Sequence, residues 1–472
     1  MGTLRKFYKS WLAKSKISDS FIAINVQLPI SFINSLEGLP GFEKEAFIHC
    51  HAELEDRSSL RLNPAKKADL PYSLQPVLWS SHGYYISPRP SFTFDPFFHA
   101  GCYYVQEASS MFLEQAFIQH RPTDKPIVAL DLCASPGGKT THLYSLLAPG
   151  SVLVANEVIK SRASLLKDNC IKWGTESVVV TQNDPAHFSE LPDFFDWITL
   201  DAPCSGSGLF RKDPEAIDAW SPAAVTHCAQ RQQRIFAAAW ESLKPGGVLF
   251  YSTCSYSIEE NERIIEWAQE KLGASVLPIS IDPSWGVVAA SVGYRSWPHR
   301  VRGEGFYFCC VQKSATNLKE STRKKGEKFL PLPAKENERL STWVQAPHVG
   351  LFEVNKQLHG WPLAQWEILS FLKSKLYIQY AGVRMGEWMR EKFIPDHALA
   401  LVAKMVTSAS VVSLEKEEAI CYLQRREISC AAATKGWNKV LYNGFGLGWI
   451  NVLEGRINNY YPAALRILKD KE

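Results

Sequence analysis

Between residues 101 and 313 the chain alternates short, continuously apolar blocks with longer segments of helical period. The apolar blocks predict strands at Ile127–Cys133, Ser151–Asn156, Val178–Gln182, Trp197–Leu200, Val248–Ser252, Ser275–Ile279 and Phe306–Gln312. Blocks without polar alternation suit strands buried on both faces of a parallel sheet. Helices are expected between them, notably at Thr140–Leu147, Ser161–Trp173 and Ala223–Leu243. The third should stop at Lys244-Pro-Gly-Gly247, a basic last turn followed by breakers. Ser257 followed by Glu260 reads as a capping box opening the helix after Cys254. The alternation as a whole predicts an α/β architecture, a doubly wound and mostly parallel sheet.

The chain on either side has a different texture. Residues 1–100 mix helical and strand-like patterns and read as a small α+β region, with Asp19–Leu28 strand-like and Phe32–Gly38 a short helix. Ser58–Lys67 alternates polar and apolar positions up to Pro64 and carries Arg61, Lys66 and Lys67. Pro71–Pro96 is rich in proline and aromatics, among them Trp79, Tyr84, Tyr85, Phe92 and Phe94. Aromatic and basic side chains interleaved in this way can stack on unpaired bases; the ordinary buried aromatics of a small cap are an equally good reading. Residues 314–328 are polar, charged and nearly free of apolar side chains, the composition of a linker. Beyond them, 329–395 and 396–472 read as two further units. The last ends in short strands and tight turns through Gly436–Gly444, Gly446–Trp449 and Gly455–Pro462, as in a small β-barrel. Its Lys439, Arg456 and Arg466 are candidate phosphate contacts.

Composition narrows the class. At 472 residues the chain is too long for one core. A hydrophobic content of 46% with 21% charged residues excludes a disordered chain. No apolar run reaches the length of a membrane span, and the basic start Met1–Ser10 lacks a secretory apolar segment. The 11 cysteines are odd in number and contain no C-x-x-C pair, so neither a disulfide framework nor a zinc knuckle is indicated and a reducing cytoplasm fits best. The 12 histidines show no metal-binding spacing, and no metal is expected. A net charge of +4 permits a polyanionic partner without demanding one.

Candidate chemistry lies at the strand ends. Trp197–Leu200 stops at Asp201-Ala-Pro203, since proline cannot donate to a ladder, and Cys204 follows before Ser-Gly-Ser-Gly208. Val248–Thr253 likewise hands Cys254 to a loop. Open α/β sheets bind ligands at that edge, so the two thiols should face one cleft. A lone strand-end cysteine is usually an inert small hydrophobe; two in matched frames point to nucleophilic chemistry. The first strand runs into Asp131–Thr140, where Gly137 and Gly138 between strand and helix let a cofactor approach the backbone. The candidate cofactor loop is Cys133, Ala134, Ser135, Pro136, Gly137, Gly138 and Lys139; its spacing is neither G-x-G-x-x-G nor a P-loop. Glu157 ends the second strand, where a carboxylate can accept both ribose hydroxyls. Asp184 follows the third, placed to meet an adenine or a neighbouring hydroxyl, and Asp201 follows the fourth. Three acids past three strands at one edge make a nucleoside site.

D-L-C-A-S-P-G-G-K-T at 131–140, D-A-P-C-S-G-S-G at 201–208 and Y-S-T-C-S at 251–255 resemble three signature motifs of the S-adenosylmethionine-dependent RNA cytosine-C5 methyltransferases, the Sun/Fmu superfamily. Gly101–Met111 and Pro298–Phe306 are similar to two of its flanking segments, so the likeness covers roughly residues 55–313. The tail pattern G-W-x-K-V, N-G, G-W and N-N-Y-Y-P resembles the bacterial RsmF branch, which modifies 16S ribosomal RNA in the small subunit. Ser135-Pro-Gly-Gly138 departs from that branch's more frequent Ala-Pro-Gly-Ser, a change between small residues.

The resemblance implies a Rossmann-like methyltransferase sheet over 101–313, an RNA-binding region over 1–100 and a PUA-like RNA-binding domain over 396–472. It implies S-adenosylmethionine as cofactor and 16S ribosomal RNA of the small subunit as partner, for a cytoplasmic monomer with no membrane contact. By motif position it makes Cys254 the nucleophile that adds to cytosine C6. Asp201, besides facing the cofactor, hydrogen-bonds N3 and the exocyclic amine. Cys204 serves release, as a base or through a base it positions. Lys139 is a candidate neighbour for lowering the thiolate's pKa. The target base must be unpaired or flipped. Cys133 is expected to pack in its loop, and Cys50, Cys102, Cys170, Cys228, Cys309, Cys310, Cys421 and Cys430 to be structural. Arg211-Lys212-Asp213 grips phosphate or is a plain surface turn. Three rivals stay open: a DNA cytosine methyltransferase, which the Y-S-T-C-S motif disfavours, a methyltransferase for another RNA such as tRNA, and an RNA-binding ribosome-assembly factor without turnover.

Overall fold

The apolar blocks become the strands of one large sheet. A computed structural model describes residues 28–53, 56–315, 329–403, 405–428 and 433–470. The strand expected at Asp19–Leu28 and the linker beyond Ala315 therefore lie almost wholly outside the described residues. Within the sheet, β1 (Val128–Asp131), β2 (Val152–Asn156), β3 (Val178–Thr181), β4 (Phe195–Asp201) and β5 (Leu243–Thr253) run parallel in the order β3-β2-β1-β4-β5. Antiparallel β6 (Phe306–Gln312) closes one side and antiparallel β7 (Ile378–Ala381) the other. A hairpin of Val288–Ala289 and Tyr294–Ser296 extends the sheet beyond β6, and Ser275–Leu277 also pairs with β6.

Helices α1 (Gly138–Leu146), α2 (Lys160–Trp173), α3 (Pro222–Ser242) and α4 (Glu262–Leu272) connect the strands. Two cores result, because successive side chains point to opposite faces. Ala129, Leu153, Trp197 and Phe250 fill one, and Leu130, Val154, Ile198 and Leu249 the other. Trp197 is fully buried and meets Phe117 edge-on at 4.9 Å. Strand order reverses between β1 and β4, which opens a crevice at their carboxyl ends, the place where such sheets take ligands.

Two local expectations are corrected. α3 ends at Ser242, and Lys244-Pro-Gly-Gly247 belongs to the start of β5, where the register with β4 slips between Phe195 and Trp197. Gly246 adopts a positive φ of 78° in that irregularity, and Lys244 pairs with Asp196, so the breakers shape a bulged strand entry and not a helix cap. α4 begins at Glu262 with Asn261 as its N-cap, without a side-chain cap bond. Ser257 and Glu260 form no capping box, because the Glu260 carboxylate is engaged in the cleft.

The N-terminal part has helices Ile30–Leu36 and Lys44–Ala52, packed on Phe210, Trp220, Tyr256 and Trp297, and an antiparallel sheet ordered Leu74–Pro76, Gly83–Ile86, Ser59–Leu62 and Tyr103–Val105. Trp79, Tyr85 and Phe94 are buried in its cores, Trp79 stacked on Phe112 at 4.5 Å, so the packing reading of those aromatics prevails. Arg61 and Lys66 are likewise buried. Arg61 donates to Gln106 and Thr141 and lies over the Trp173 ring, while Lys66 donates to the carbonyls of Ala100 and Lys172. These bonds fasten the N-terminal sheet to α1 and α2. Of the three basic residues in that stretch, Lys67 alone is exposed.

In the C-terminal part, Val349–Val354, Gln357–Pro362, Val383–Met389 and Lys392–Pro395 form one sheet, and Ser410–Ser413, Gly436–Tyr442, Phe445–Leu453 and Arg456–Asn459 another. The last sheet packs on the N-terminal part, Tyr442 meeting Phe97 edge-on at 4.9 Å. Its Arg456 and Arg466 are exposed, as phosphate contacts require, whereas Lys439 is partly buried.

Candidate active site

β1 delivers Asp131 to the cleft floor, where Thr140 Oγ1 donates to its Oδ2 at 2.6 Å. Burial lifts the Asp131 carboxyl to about 7. The following loop turns through Gly137, whose φ of 111° only glycine adopts readily, and Gly138 opens α1. Ala134 N–H bonds Asn156 O, and Ser135 Oγ donates to Arg162 O, which pins the loop against β2 and α2. Cys133 packs there, its thiol pushed up by burial.

Glu157 lies just past β2. One carboxylate oxygen accepts from Ile159 N–H at 2.9 Å and the other lies 3.3 Å from Arg162 Nε. Asp184 follows β3 and caps the short helix Pro185–Glu190 through Ala186 N–H. Asp201 ends β4, with Oδ1 accepting from Ser252 Oγ at 2.8 Å and Oδ2 held by Lys139 Nζ at 2.8 Å. Lys139 thus serves the carboxylate, its ammonium also lying 5.0 Å from the Phe306 ring centre. Its ion pair is with Asp201.

The two strand-end cysteines meet. β4 and β5 run parallel with Asp201 opposite Ser252, so the loops leave the sheet side by side and Cys204 Sγ lies 3.1 Å from Cys254 Sγ. Gly208 N–H donates to Cys254 O at 2.8 Å, and a Cβ at Gly208 would stand 2.7 Å from that same oxygen. The second glycine of S-G-S-G is therefore required for the loops to touch. The hydrogen bond with Cys254 raises the Cys204 thiol well above its ordinary value, and burial and the Glu260 carboxylate push the same way. Cys204 is therefore a protonated thiol at neutral pH.

Pattern reasoning missed Glu260. It is fully buried, and its carboxylate accepts from Ser205 N–H, Ser205 Oγ and Ser255 Oγ at 2.7, 2.6 and 2.6 Å. The available signal was the serine after each cysteine: two hydroxyls brought to one cleft call for a shared acceptor. Arg211 is corrected as well. It is buried, donates to Cys50 O and pairs with Glu304 at 3.0 Å, anchoring the Cys204 loop to the N-terminal helices with no freedom to grip phosphate. Of the cysteines expected to be structural, Cys50, Cys102, Cys170, Cys228, Cys309 and Cys310 are buried, Cys421 is half-buried and Cys430 lies outside the described residues. Among the described residues no cluster of three His, Cys, Asp or Glu side chains could hold a metal ion, and no helix is long and apolar enough to cross a membrane.

A doubly wound sheet with a glycine loop after β1 and acids after β2, β3 and β4 is the α/β methyltransferase fold. The family model for the 16S rRNA methyltransferase RsmB/F matches residues 118–312, that for the N-terminal domain of 16S rRNA methyltransferase RsmF matches 28–108, and that for the methyltransferase RsmF PUA domain matches 409–467. Ribosomal RNA small subunit methyltransferase F of Aeromonas hydrophila is 32% identical over 437 residues, covering 87% of this chain and 91% of its own. The protein of that name from Aliivibrio fischeri is 28% identical, covering 93% and 98%. The chain belongs to the RsmF family of 16S rRNA methyltransferases. In fold it is similar to the crystal structure of NSun6 from Pyrococcus horikoshii with SFG, at a TM-score of 0.51 and 20% identity over 61% of this chain and 99% of that one.

Proposed function

We propose that the protein transfers a methyl group from S-adenosylmethionine to C5 of a cytosine in 16S ribosomal RNA of the small subunit, through a covalent bond between Cys254 Sγ and C6 of the base. The observation that carries this reading is the pair of sulfurs 3.1 Å apart at the carboxyl edge of the sheet, beside an acid held between a lysine and a serine. The donor set fits the cofactor: two carboxylate oxygens of Glu157 for a ribose diol, Asp184 beside an adenine, and the backbone of residues 133–138 along the amino-acid end. When bound, S-adenosylmethionine supplies an electrophilic methyl carbon. A neighbour bound to SFG, an analogue of that cofactor, supports the assignment.

Cytosine C5 is a weak nucleophile, and covalent addition at C6 makes it a strong one. Cys254 Sγ forms the S–C6 bond, and the C5=C6 electron pair moves onto C5 and the N3 side of the ring. Asp201 accepts from the exocyclic amine and shares a proton with N3, which neutralises that charge. C5 would then take the methyl carbon that S-adenosylmethionine supplies, the donor sulfur keeping the bonding electrons. The C5 proton then leaves to a base that the protonated Cys204 positions, the electron pair re-forms C5=C6, and Cys254 departs as thiolate. Cytoplasmic small subunits supply the substrate, with the N-terminal part and the exposed Arg456 and Arg466 contributing affinity.

Methyl transfer and covalent capture on small subunits test the reading. Cys254→Ala is expected to lose both turnover and capture, whereas Cys204→Ala keeps addition, fails in release and leaves a denaturant-resistant protein–RNA adduct. The reverse pattern overturns the roles.

A further inference from the structure

One carboxylate holds both cysteine loops. Glu260 Oε1 accepts from Ser205 N–H, and Oε2 accepts from the hydroxyls of Ser205 and Ser255, the residues that follow Cys204 and Cys254. The two hydroxyl oxygens stand 3.3 Å apart across it. Glu260 is itself fixed, since Tyr251 OH donates to its carbonyl at 2.6 Å, and Asn261 ties Thr253 Oγ1 to Ser255 O on the same loop. Among the described residues no lysine, arginine or histidine forms an ion pair with it; its partners are neutral donors. A carboxylate kept fully buried on neutral donors carries a desolvation cost that sheet packing gives no reason for, and burial accordingly lifts its pKa.

Building on the covalent mechanism above, we propose that Glu260 is a positioning residue for the two thiols, setting through its matched serine arms both their separation and which sulfur keeps the shared proton. Two sulfurs 3.1 Å apart with opposite tasks need such a device. Without it, the Cys204 loop, which carries two glycines, would drift relative to the Cys254 loop, and misplacement by about 1 Å costs on the order of 10²-fold in rate. The charge acts alongside the geometry. The groups facing Cys204 and Glu260 are Cys254 and Tyr251 from β5 and its loop, Cys228 from α3, and Asp201 with Lys139 beyond, and Glu260 is a carboxylate whose charge acts on Cys204.

The arms predict separable defects. Ser255→Ala loosens the nucleophile and slows adduct formation, whereas Ser205→Ala loosens the release side and makes adduct accumulate. Glu260→Gln, an isostere, should do both, lowering kcat by about 10²-fold with cofactor affinity measured by calorimetry unchanged. Adding either serine change to Glu260→Gln should cost little more, since the three act as one unit. A readout independent of RNA is alkylation of Cys204 by iodoacetamide against pH, followed by mass spectrometry on the full-length protein. Glu260→Gln should move its midpoint to lower pH, because a negative neighbour has been removed. An unmoved midpoint together with unchanged kcat overturns the proposal, as does full additivity of the serine and glutamate changes. If Glu260→Gln does not fold, the opposite adduct behaviour of the two serine variants decides the matter, and equal behaviour counts against it. Turnover surviving in Cys254→Ala would sink the covalent reading, while the alkylation midpoint would still report on Glu260.

Discussion

The Cys204 and Cys254 loops start alike and end differently. Both leave parallel neighbouring strands at the same edge with a cysteine followed by serine. The Cys254 loop is tied internally, Thr253 Oγ1 to Asn261, Asn261 to Ser255 O and Tyr251 to Glu260 O. The Cys204 loop passes through Gly206 at a φ of 74° and owes its place to groups outside itself: Gly208 against Cys254 O, Ser205 against Glu260, and Arg211 against Cys50 O and Glu304. Under the proposed mechanism a self-braced thiol would suit the bond-forming step, which demands a fixed trajectory, and a borrowed frame the release step, whose partner arrives only after methyl transfer.

The largest effects should separate the two sulfurs. Cys254→Ala is expected to lower kcat by about 10⁴-fold or more with no adduct, whereas Cys204→Ala lowers it comparably while accumulating adduct, read on denaturing gels. Asp201→Asn removes the charge facing Lys139 and the ring, and kcat/KM should fall by about 10²–10³-fold with both loops intact; an unchanged value would place the base elsewhere. Arg211→Ala sharpens the contrast through stability. It removes the buried partner of Glu304, leaving it, among the described residues, only Lys212 at 3.5 Å, and should cost about 3 kcal/mol in denaturant unfolding, yet leave the salt dependence of RNA binding unaltered. A phosphate contact would instead reduce that slope by about one. The smallest effect is chemical. Because the folded Cys204 pKa is raised, its proton persists as pH climbs through the ordinary cysteine range, so iodoacetamide should modify Cys204 more slowly than a free thiol there and catch up only in strong alkali. Equal rates at pH 9 would contradict the shared proton.

Much of this was legible in one dimension. Continuous apolar blocks mark doubly buried strands, so Val152–Asn156 and Phe306–Gln312 were readable to within a residue. Cys204 and Cys254 were readable as partners because a parallel sheet sends every strand-end loop to one edge. Lys244–Gly247 misled because the residues that stop a helix also bend a strand. Glu260 misled because a serine three residues before a glutamate caps a helix only where that carboxylate has no better partners. β7 carries no local sign of joining β3, some 200 residues away; pairing at Ile378 with Thr181 is a property of docking.

The sequence by itself determined the α/β order, the glycine turn after β1 and the placing of the two thiols at one sheet edge, because strand burial and turn chemistry are encoded within a few neighbouring residues. The tertiary structure alone decided that Lys139 serves Asp201, that Arg211 and Arg61 are braces, and that a buried carboxylate spans both cysteine loops. A polar side chain takes the best partner within reach, and reach is set by which distant segments the fold brings together.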